Sequence, residues 1–169
     1  GPGTTNLTSN GTRDIFIQKL NASGDLVWVR SMGSFAEANS IALDSAGNVY
    51  TTGSYSGTVD FDPGPGTTNM TSAGSSDIFI QKLDTSGNLV WVQSIGNSSS
   101  DRGVCIKVDG SGNVYTTGGF QGTVDFDPGP GTTNLASNGG EDIFIHKLDT
   151  SGNFVWARSV GGSTGTGSE

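Results

Sequence analysis

The chain has 169 residues, enough for one ordinary domain, with 28 glycines and only 32% apolar residues. Its net charge of −8 argues against nucleic acid and anionic membrane surfaces as partners, because like charges repel. A single cysteine excludes an internal disulfide framework. The sequence contains no run of 18 apolar residues, so it predicts no membrane-spanning helix.

One segment of the chain occurs twice and defines a repeat. Residues 57–69 and 122–134 are identical, and the second half of the segment also stands at residues 1–6. Low apolar content does not predict disorder here, because the apolar residues recur in fixed columns of the repeat. The tryptophans mark the same column in three units, 63 and then 65 residues apart, at Trp28, Trp91 and Trp156.

The sequence predicts four short antiparallel strands per unit and no helix of useful length. Apolar residues on both faces of the first strand predict that it is buried on both sides. Prolines lie only in the repeated connector, so none interrupts a strand. The predicted strands are the first at 14–20, 77–83 and 142–148, the second at 26–31, 89–94 and 154–159, the third at 40–44 and 105–109, and the fourth at 49–53 and 114–118.

Short polar turns join the first and second strands. The sequence Asp-Thr-Ser-Gly-Asn stands at 84–88 and 149–153, with a variant at 21–25. Asp or Asn favours the start of a type I turn, and glycine takes the positive φ that a bulged hairpin requires. The turns faintly resemble the start of an EF-hand loop, but no glutamate stands at loop position 12 and strands flank them. We therefore interpret them as hairpin turns.

Two stretches of the repeat carry a family resemblance. Residues 41–53 contain Asp-Ser-Ala-Gly-Asn-Val-Tyr, and residues 77–91 contain Lys-Leu-Asp-Thr-Ser-Gly-Asn. They resemble the bacterial β-propeller repeat family named for seven-bladed propellers, over essentially the whole chain. The Asp-Phe-Asp-Pro-Gly connector departs from that pattern and is interpreted as a subfamily insertion. The resemblance implies secreted or cell-envelope proteins of bacteria and carries over no catalytic residues.

The predicted fold is all-β: a β-propeller fragment of about two and a half four-stranded antiparallel blades, with a β-solenoid-like open repeat array as the alternative. Two and a half blades cannot close a ring, so we expect these residues to be part of a longer propeller. The alternative is a complete short protein that self-associates through its open ends. The predicted units are a two-stranded half blade at 1–33, blades at 34–96 and 97–161, and a tail or start of the next blade loop at 162–169.

The repeated connector carries the only candidate metal ligands. Asp60 and Asp62 flank a phenylalanine, as do Asp125 and Asp127, and alternate residues of a strand share a face. Paired carboxylates beside a glycine-rich bend suit calcium, which prefers oxygen ligands. The alternative is structural: Asp62 and Asp127 cap the Pro-Gly turn through backbone N–H groups, while Asp60 and Asp125 are solvated.

Other singular residues favour structural roles. His146 occupies a column that holds Gln18 and Gln81 elsewhere, and we expect an exposed strand position without partners. Cys105 is expected to be small and half-buried, not a nucleophile. The three tryptophans are expected to pack between blades, although sugar stacking is the alternative.

The sequence predicts a non-catalytic extracellular repeat scaffold with structural, adhesive or protein-binding roles, located in the bacterial envelope or secreted. Its partners would be the remaining blades of a longer chain, other copies of itself, or a protein or glycan ligand. The alternatives are a lectin-like propeller, an accessory propeller of a secreted hydrolase, and a self-assembling filament or sheath subunit. The one candidate cofactor is calcium.

Overall fold

The computed structural model describes residues 5–9 and 11–163, and this part of the chain consists of β-strands and their connections. The fourteen strands in these residues are β1 Ile15–Leu20, β2 Leu26–Met32, β3 Ala36–Leu43, β4 Val49–Tyr55, β5 Thr58–Asp60, β6 Asn69–Thr71, β7 Asp77–Leu83, β8 Leu89–Ile95, β9 Arg102–Val108, β10 Val114–Phe120, β11 Thr123–Asp125, β12 Asn134–Ala136, β13 Asp142–Leu148 and β14 Phe154–Val160.

The strands form three main antiparallel sheets. Sheet I contains β1 and β2, sheet II has the order β3-β4-β7-β8, and sheet III has the order β9-β10-β13-β14. Each four-stranded sheet therefore runs third, fourth, first and second strand of the predicted repeat. This confirms the all-β fold of two and a half four-stranded antiparallel blades. The limits predicted for the individual units stay predictions.

The Asp-Thr-Ser-Gly-Asn turns form as the sequence predicts. Asp84 accepts backbone N–H bonds from Ser86 at 2.8 Å and from Asn88 at 2.9 Å. Gly87 has a φ of 78°, a region that side chains with a Cβ rarely adopt. The Asn88 backbone bond and then its side-chain bond hold the pKa of Asp84 below its ordinary value. A register shift beside Leu83 completes the bulged hairpin.

The sheets pack face to face, and each has two distinct faces. The forward face is directed at the following sheet and is represented in sheet II by Ile78, Ile80 and Ile95, which pack in one core with sheet III. The backward face is directed at the preceding sheet and is represented by Phe79 and Leu83, which pack against sheet I. Both faces of β7 are therefore buried, as predicted.

The prediction of burial on both sides is wrong for β1 and β13. Their side chains alternate between buried and exposed along the strand. The reason is that each of these strands has a neighbouring sheet on one side only in the described part of the chain.

Tryptophans and turns connect neighbouring sheets. Trp28 Nε1 donates to the Thr85 carbonyl at 3.0 Å, and Trp91 Nε1 donates to the Thr150 carbonyl at 3.3 Å. The ring of Trp28 lies so close to Gly87 that a Cβ there would meet Cδ2 at 3.1 Å. Trp28 and Trp91 thus pack between sheets, as the sequence predicts, and each covers the turn glycine of the following sheet. Trp156, on the last described sheet, is half-buried and has no following sheet there.

The structure corrects the prediction for the connector. The predicted unit of four strands omits two short strands of the connector, whose ends pair as two-stranded ribbons, β5 with β6 and β11 with β12. The third and fourth strands are also longer than predicted, since β3 and β4 reach Ala36 and Tyr55 instead of residues 40 and 53. The ribbon β5–β6 begins three residues after the end of β4, so it lies at the same end of the strands as this extension.

Candidate interaction surface

Each ribbon ends in a loop that is held by a carboxylate. Asp60 Oδ1 accepts the backbone N–H of Asp62 at 3.0 Å and that of Thr68 at 2.8 Å. Asp62 Oδ1 accepts the backbone N–H of Gly64 at 2.8 Å. Bonds to backbone donors across the loop restrict it to one conformation. We call the loops at 61–68 and 126–133 the connector loops.

The glycines of the connector loop surround the second carboxylate. A Cβ on Gly64 would meet Asp62 Oδ1 at 3.0 Å, and a Cβ on Gly66 would overlap Asp62 Oδ2. Any larger residue would displace the carboxylate from the turn. This close approach explains why glycine stands at both positions.

A buried aromatic residue anchors the loop to its sheet. Phe61 is fully buried. It packs edge-on against Tyr55, with ring centroids 5.3 Å apart, and in a tilted arrangement against Phe79, with ring centroids 5.0 Å apart. Its carbonyl accepts a hydrogen bond from Gln81 Nε2 at 2.7 Å. The loop is therefore fastened to sheet II through both its side chain and its backbone.

The second connector loop repeats the first. Asp125 Oδ1 accepts the N–H groups of Asp127 and Thr133 at 3.0 and 2.8 Å, and Asp127 Oδ1 accepts that of Gly129 at 2.8 Å. Phe126 takes the place of Phe61 against Phe120 and Phe144. Two copies of one loop are thus held in one conformation on successive sheets.

The four predicted metal ligands act as caps of their own loops. Asp62 and Asp127 cap the turn, as the structural alternative states, but Asp60 and Asp125 are not simply solvated, since each accepts two backbone N–H bonds. Within residues 5–9 and 11–163, no three or more His, Cys, Asp or Glu side chains are grouped so that they could hold a metal. Calcium binding stays a prediction.

A cleft of about 500 Å³ lies beside the end of β4 and the segments that lead into β1, β3, β7 and β9. Arg13 and Glu37 form an ion pair at its side, and serines line much of the rest. Ser76 Oγ and Ser100 Oγ share a hydrogen bond of 2.8 Å. Its lining residues are Thr12, Arg13, Phe35, Glu37, Ser54, Tyr55, Ser56, Ser75, Ser76 and Ser100.

The prediction for His146 is wrong, because the side chain is fully buried. It lies on the backward face of sheet III, stacked on Phe154 with ring centroids 5.7 Å apart. In the described part of the chain neither ring nitrogen has a hydrogen-bond partner. Burial lowers the pKa of His146 to about 4, and the Phe126 backbone and the negative charge of Asp127 oppose this shift. Cys105 is half-buried, as predicted.

Sequence reasoning missed the aspartate that supports the second ribbon. Asp101 is fully buried and accepts the backbone N–H groups of Asn97 at 2.9 Å and Gln121 at 3.0 Å. Burial raises its pKa. Asn97 Nδ2 donates to the carbonyls of Gln121 and Thr123. The signal lay in the two-residue length difference, which places Asp101 where the preceding unit has Ala36.

A protein-family model matches the part of the chain that forms the hairpin of β3 and β4. Residues 36–54 fit the family model described as a beta-propeller repeat. This stretch is a β-propeller repeat. For this stretch the family resemblance stated from the sequence is confirmed.

Two curated proteins are similar to the chain beyond the β-propeller repeat. One is the regulatory protein FlaEY of Caulobacter vibrioides, 26% identical over 145 residues that make up 85% of this chain and 15% of that protein. The other is the uncharacterized WD repeat-containing protein L264 of Acanthamoeba polyphaga mimivirus, 28% identical over 185 residues, 100% of this chain and 13% of that protein. The chain thus spans about a seventh of the length of these relatives.

Among solved structures, a crystal structure of a protein of unknown function from Bacteroides caccae is similar over 86% of this chain and 68% of its own. The sequence identity is 16% and the TM-score is 0.29. Where the chain is described, it contains no helix long and apolar enough to cross a membrane.

Proposed function

We propose that the chain is a non-catalytic scaffold that presents its connector loops to other proteins. The observation that carries this is the repetition of one rigid loop. Residues 60–69 and 125–134 have the same sequence, the same carboxylate caps and the same buried phenylalanine. A catalytic constellation would instead require singular residues that converge.

The exposed atoms of the connector loops define what a partner would contact. Pro65 and Thr67 are exposed in the first loop, as are Pro130 and Thr132 in the second. A partner with two matching binding segments would engage both loops, and the second contact would form at a high effective concentration. Weak single contacts can then give strong overall binding.

The relatives and the family resemblance extend this proposal. Their names describe a regulatory protein and a WD repeat-containing protein, which supports a role in protein–protein interaction. From the family resemblance we infer secretion or display on a bacterial cell surface, with a structural or adhesive role. Antibody labelling of intact source cells would test this location, and labelling that requires permeabilisation would contradict it.

A lectin-like function has less support. Sugar stacking requires exposed aromatic rings, but Phe61 and Phe126 of the connector loops are fully buried. Trp28 and Trp91 use their indole N–H groups to hold the turn of the next sheet.

The proposed function is tested with peptides selected from a displayed random library against the immobilised chain. Pro65→Lys with Thr67→Lys alters the exposed atoms of one loop and leaves its caps in place. A selected peptide presented in two linked copies should lose affinity by about tenfold or more when one loop is altered. Altering Pro130 and Thr132 as well should abolish binding.

The matched control places lysines at the opposite ends of the strands, in the hairpin turns of the same sheets. Ser86 and Ser151 are exposed in the hairpin turns, far from the connector loops along the strands. Ser86→Lys with Ser151→Lys adds the same charge and should leave peptide binding unchanged. Peptides that bind the double-loop variant as well as the original chain would contradict the proposal.

A further inference from the structure

We propose that a second copy of this chain docks head-to-tail on the first. The backward face of sheet I in the second copy then covers the forward face of sheet III in the first. This inference does not depend on what the connector loops bind. It rests on a comparison of equivalent residues in the three sheets. The forward face is covered in sheets I and II and open in sheet III, and the backward face is covered in sheets II and III and open in sheet I.

The forward face of sheet III is an apolar surface that is buried elsewhere in the repeat. Ile143, Ile145 and Val160 have exposed fractions of 56%, 41% and 64%. The equivalent residues of sheet II are Ile78, Ile80 and Ile95. Their exposed fractions are 0%, 0% and 2%, because sheet III covers them. Those of sheet I are also buried, by sheet II; they are Ile15, Ile17 and Met32.

The backward face of sheet I is the matching surface. Phe16 and Leu20 are 65% and 47% exposed and line a depression of about 380 Å³ together with Leu7. Their equivalents are fully buried in the two existing contacts between sheets; they are Phe79 and Leu83 in sheet II, and Phe144 and Leu148 in sheet III.

Polar contacts specify the relative position of the two copies. In both existing contacts between sheets, a lysine and a tryptophan of one sheet donate to the same turn carbonyl of the next. Lys19 and Trp28 donate to Thr85, and Lys82 and Trp91 donate to Thr150. On sheet III the equivalent donors are Lys147 and Trp156. The equivalent acceptor is the Ala22 carbonyl of sheet I.

The turn glycine gives a further, independent indication. A Cβ on Gly87 would contact Trp28, and one on Gly152 would contact Trp91 at 2.9 Å. The equivalent glycine of sheet I is Gly24, and a Cβ there has nothing within 4 Å. Trp156 of one copy therefore fits over Gly24 of the next, as in the two contacts within the chain.

Both faces occur on one chain, so the contact is heterologous and can propagate. Apolar area removed from water drives it, and the net charge of −8 on each copy opposes it. Association should therefore strengthen when salt screens the charge.

The test is sedimentation equilibrium of the intact chain over a wide concentration range, in low salt and in about 0.5 M NaCl. We expect the average mass to rise from 17.3 kDa through multiples of that value, more steeply in the higher salt. Ile145→Lys and Phe16→Lys, one on each face, should each weaken association about tenfold or more, since a lysine would be buried without a partner. Both positions are exposed in the single chain, so neither change should unfold it.

Two comparisons keep the test specific. Val155→Lys is the control. The equivalent residue of sheet II is Val90, which stays 51% exposed although sheet II is covered on both faces. It should leave association unchanged. Mixing Ile145→Lys with Phe16→Lys leaves one intact face on each protein, so the mixture should form a dimer that grows no further.

The proposal is overturned if the chain stays monomeric in both salts, or if Val155→Lys weakens association as much as Ile145→Lys. A mixture of the two variants that forms no dimer would also overturn it.

Discussion

At the scale of single residues, one repeat column shows how a buried polar group is satisfied or left unsatisfied. Gln81 is fully buried, donates to the Phe61 carbonyl at 2.7 Å and accepts from Thr51 Oγ1 at 3.3 Å. His146 replaces it in sheet III, and within the described residues neither its ring nitrogens nor Thr116 Oγ1 has a hydrogen-bond partner. Unpaired buried polar atoms cost stability.

This column predicts a dependence of stability on acidity. The folded pKa of His146 is about 4 and the unfolded value about 6.5, so between these values the unfolded chain binds the extra proton. The contribution of His146 to the free energy of unfolding should be fully present above pH 6.5 and should be lost as the pH falls towards 4. The total loss should be about 3 kcal/mol. Urea unfolding across this range measures it, and His146→Gln should remove this loss.

The difference between the original chain and His146→Gln isolates the histidine. Burial raises the pKa of Asp77 and Asp101, and folded acids with raised pKa values contribute stability that increases as the pH falls. Their effect has the opposite sign and is common to both proteins. Equal pH dependence of the two proteins would contradict the assignment.

At the scale of the element, carboxylate caps and a buried anchor hold the connector loop. Asp60 serves two N–H groups of the loop, while Phe61 and the Gln81 bond hold the loop on the sheet. The ribbon strands have only three residues each and would not be stable alone.

The caps predict different outcomes for two substitutions. Asp60→Asn keeps an oxygen that accepts both N–H bonds and should change the free energy of unfolding by less than about 1 kcal/mol. Asp60→Ala leaves both donors without that partner and should cost about 1–3 kcal/mol. Urea unfolding compares the two. A rise in Tm with calcium that Asp60→Asn abolishes would show instead that the carboxylates hold the ion.

At the scale of the whole molecule, stability comes from contacts between neighbouring sheets, as in other repeat arrays. Sheet II is covered on both faces, whereas sheets I and III each have one open face in the described residues. Identical residues therefore contribute differently according to their place in the array.

Ile78 and Ile143 provide a matched pair for this effect. Both occupy the second position of a DIF strand, but Ile78 is 0% exposed and Ile143 is 56% exposed. Ile78→Ala should cost about 2–4 kcal/mol through lost packing, and Ile143→Ala less than about 1 kcal/mol in the single chain. Chemical denaturation at low protein concentration measures both. Equal losses would show that sheet III is not the end of the packed array.

Much of the fold could be predicted from local patterns. Turn glycines, carboxylates that open turns and strands of period two are short-range signals, so the hairpins of the sheets were predicted correctly. The ribbon was not, because strands of three residues carry too little pattern to distinguish them from a loop. For the candidate site, the sequence located the aspartates, but both alternatives understated how fully Asp60 and Asp125 are engaged.

The sequence by itself determined the repeat and the hairpin turns, because these depend on residues close together in the chain. Only the tertiary structure decided which face of each strand is buried. Residues 78 and 143 are both isoleucine, yet one is covered and the other open, since coverage depends on a neighbouring sheet. The burial of His146 likewise depends on packing, because its ring lies against Phe126 and Phe154.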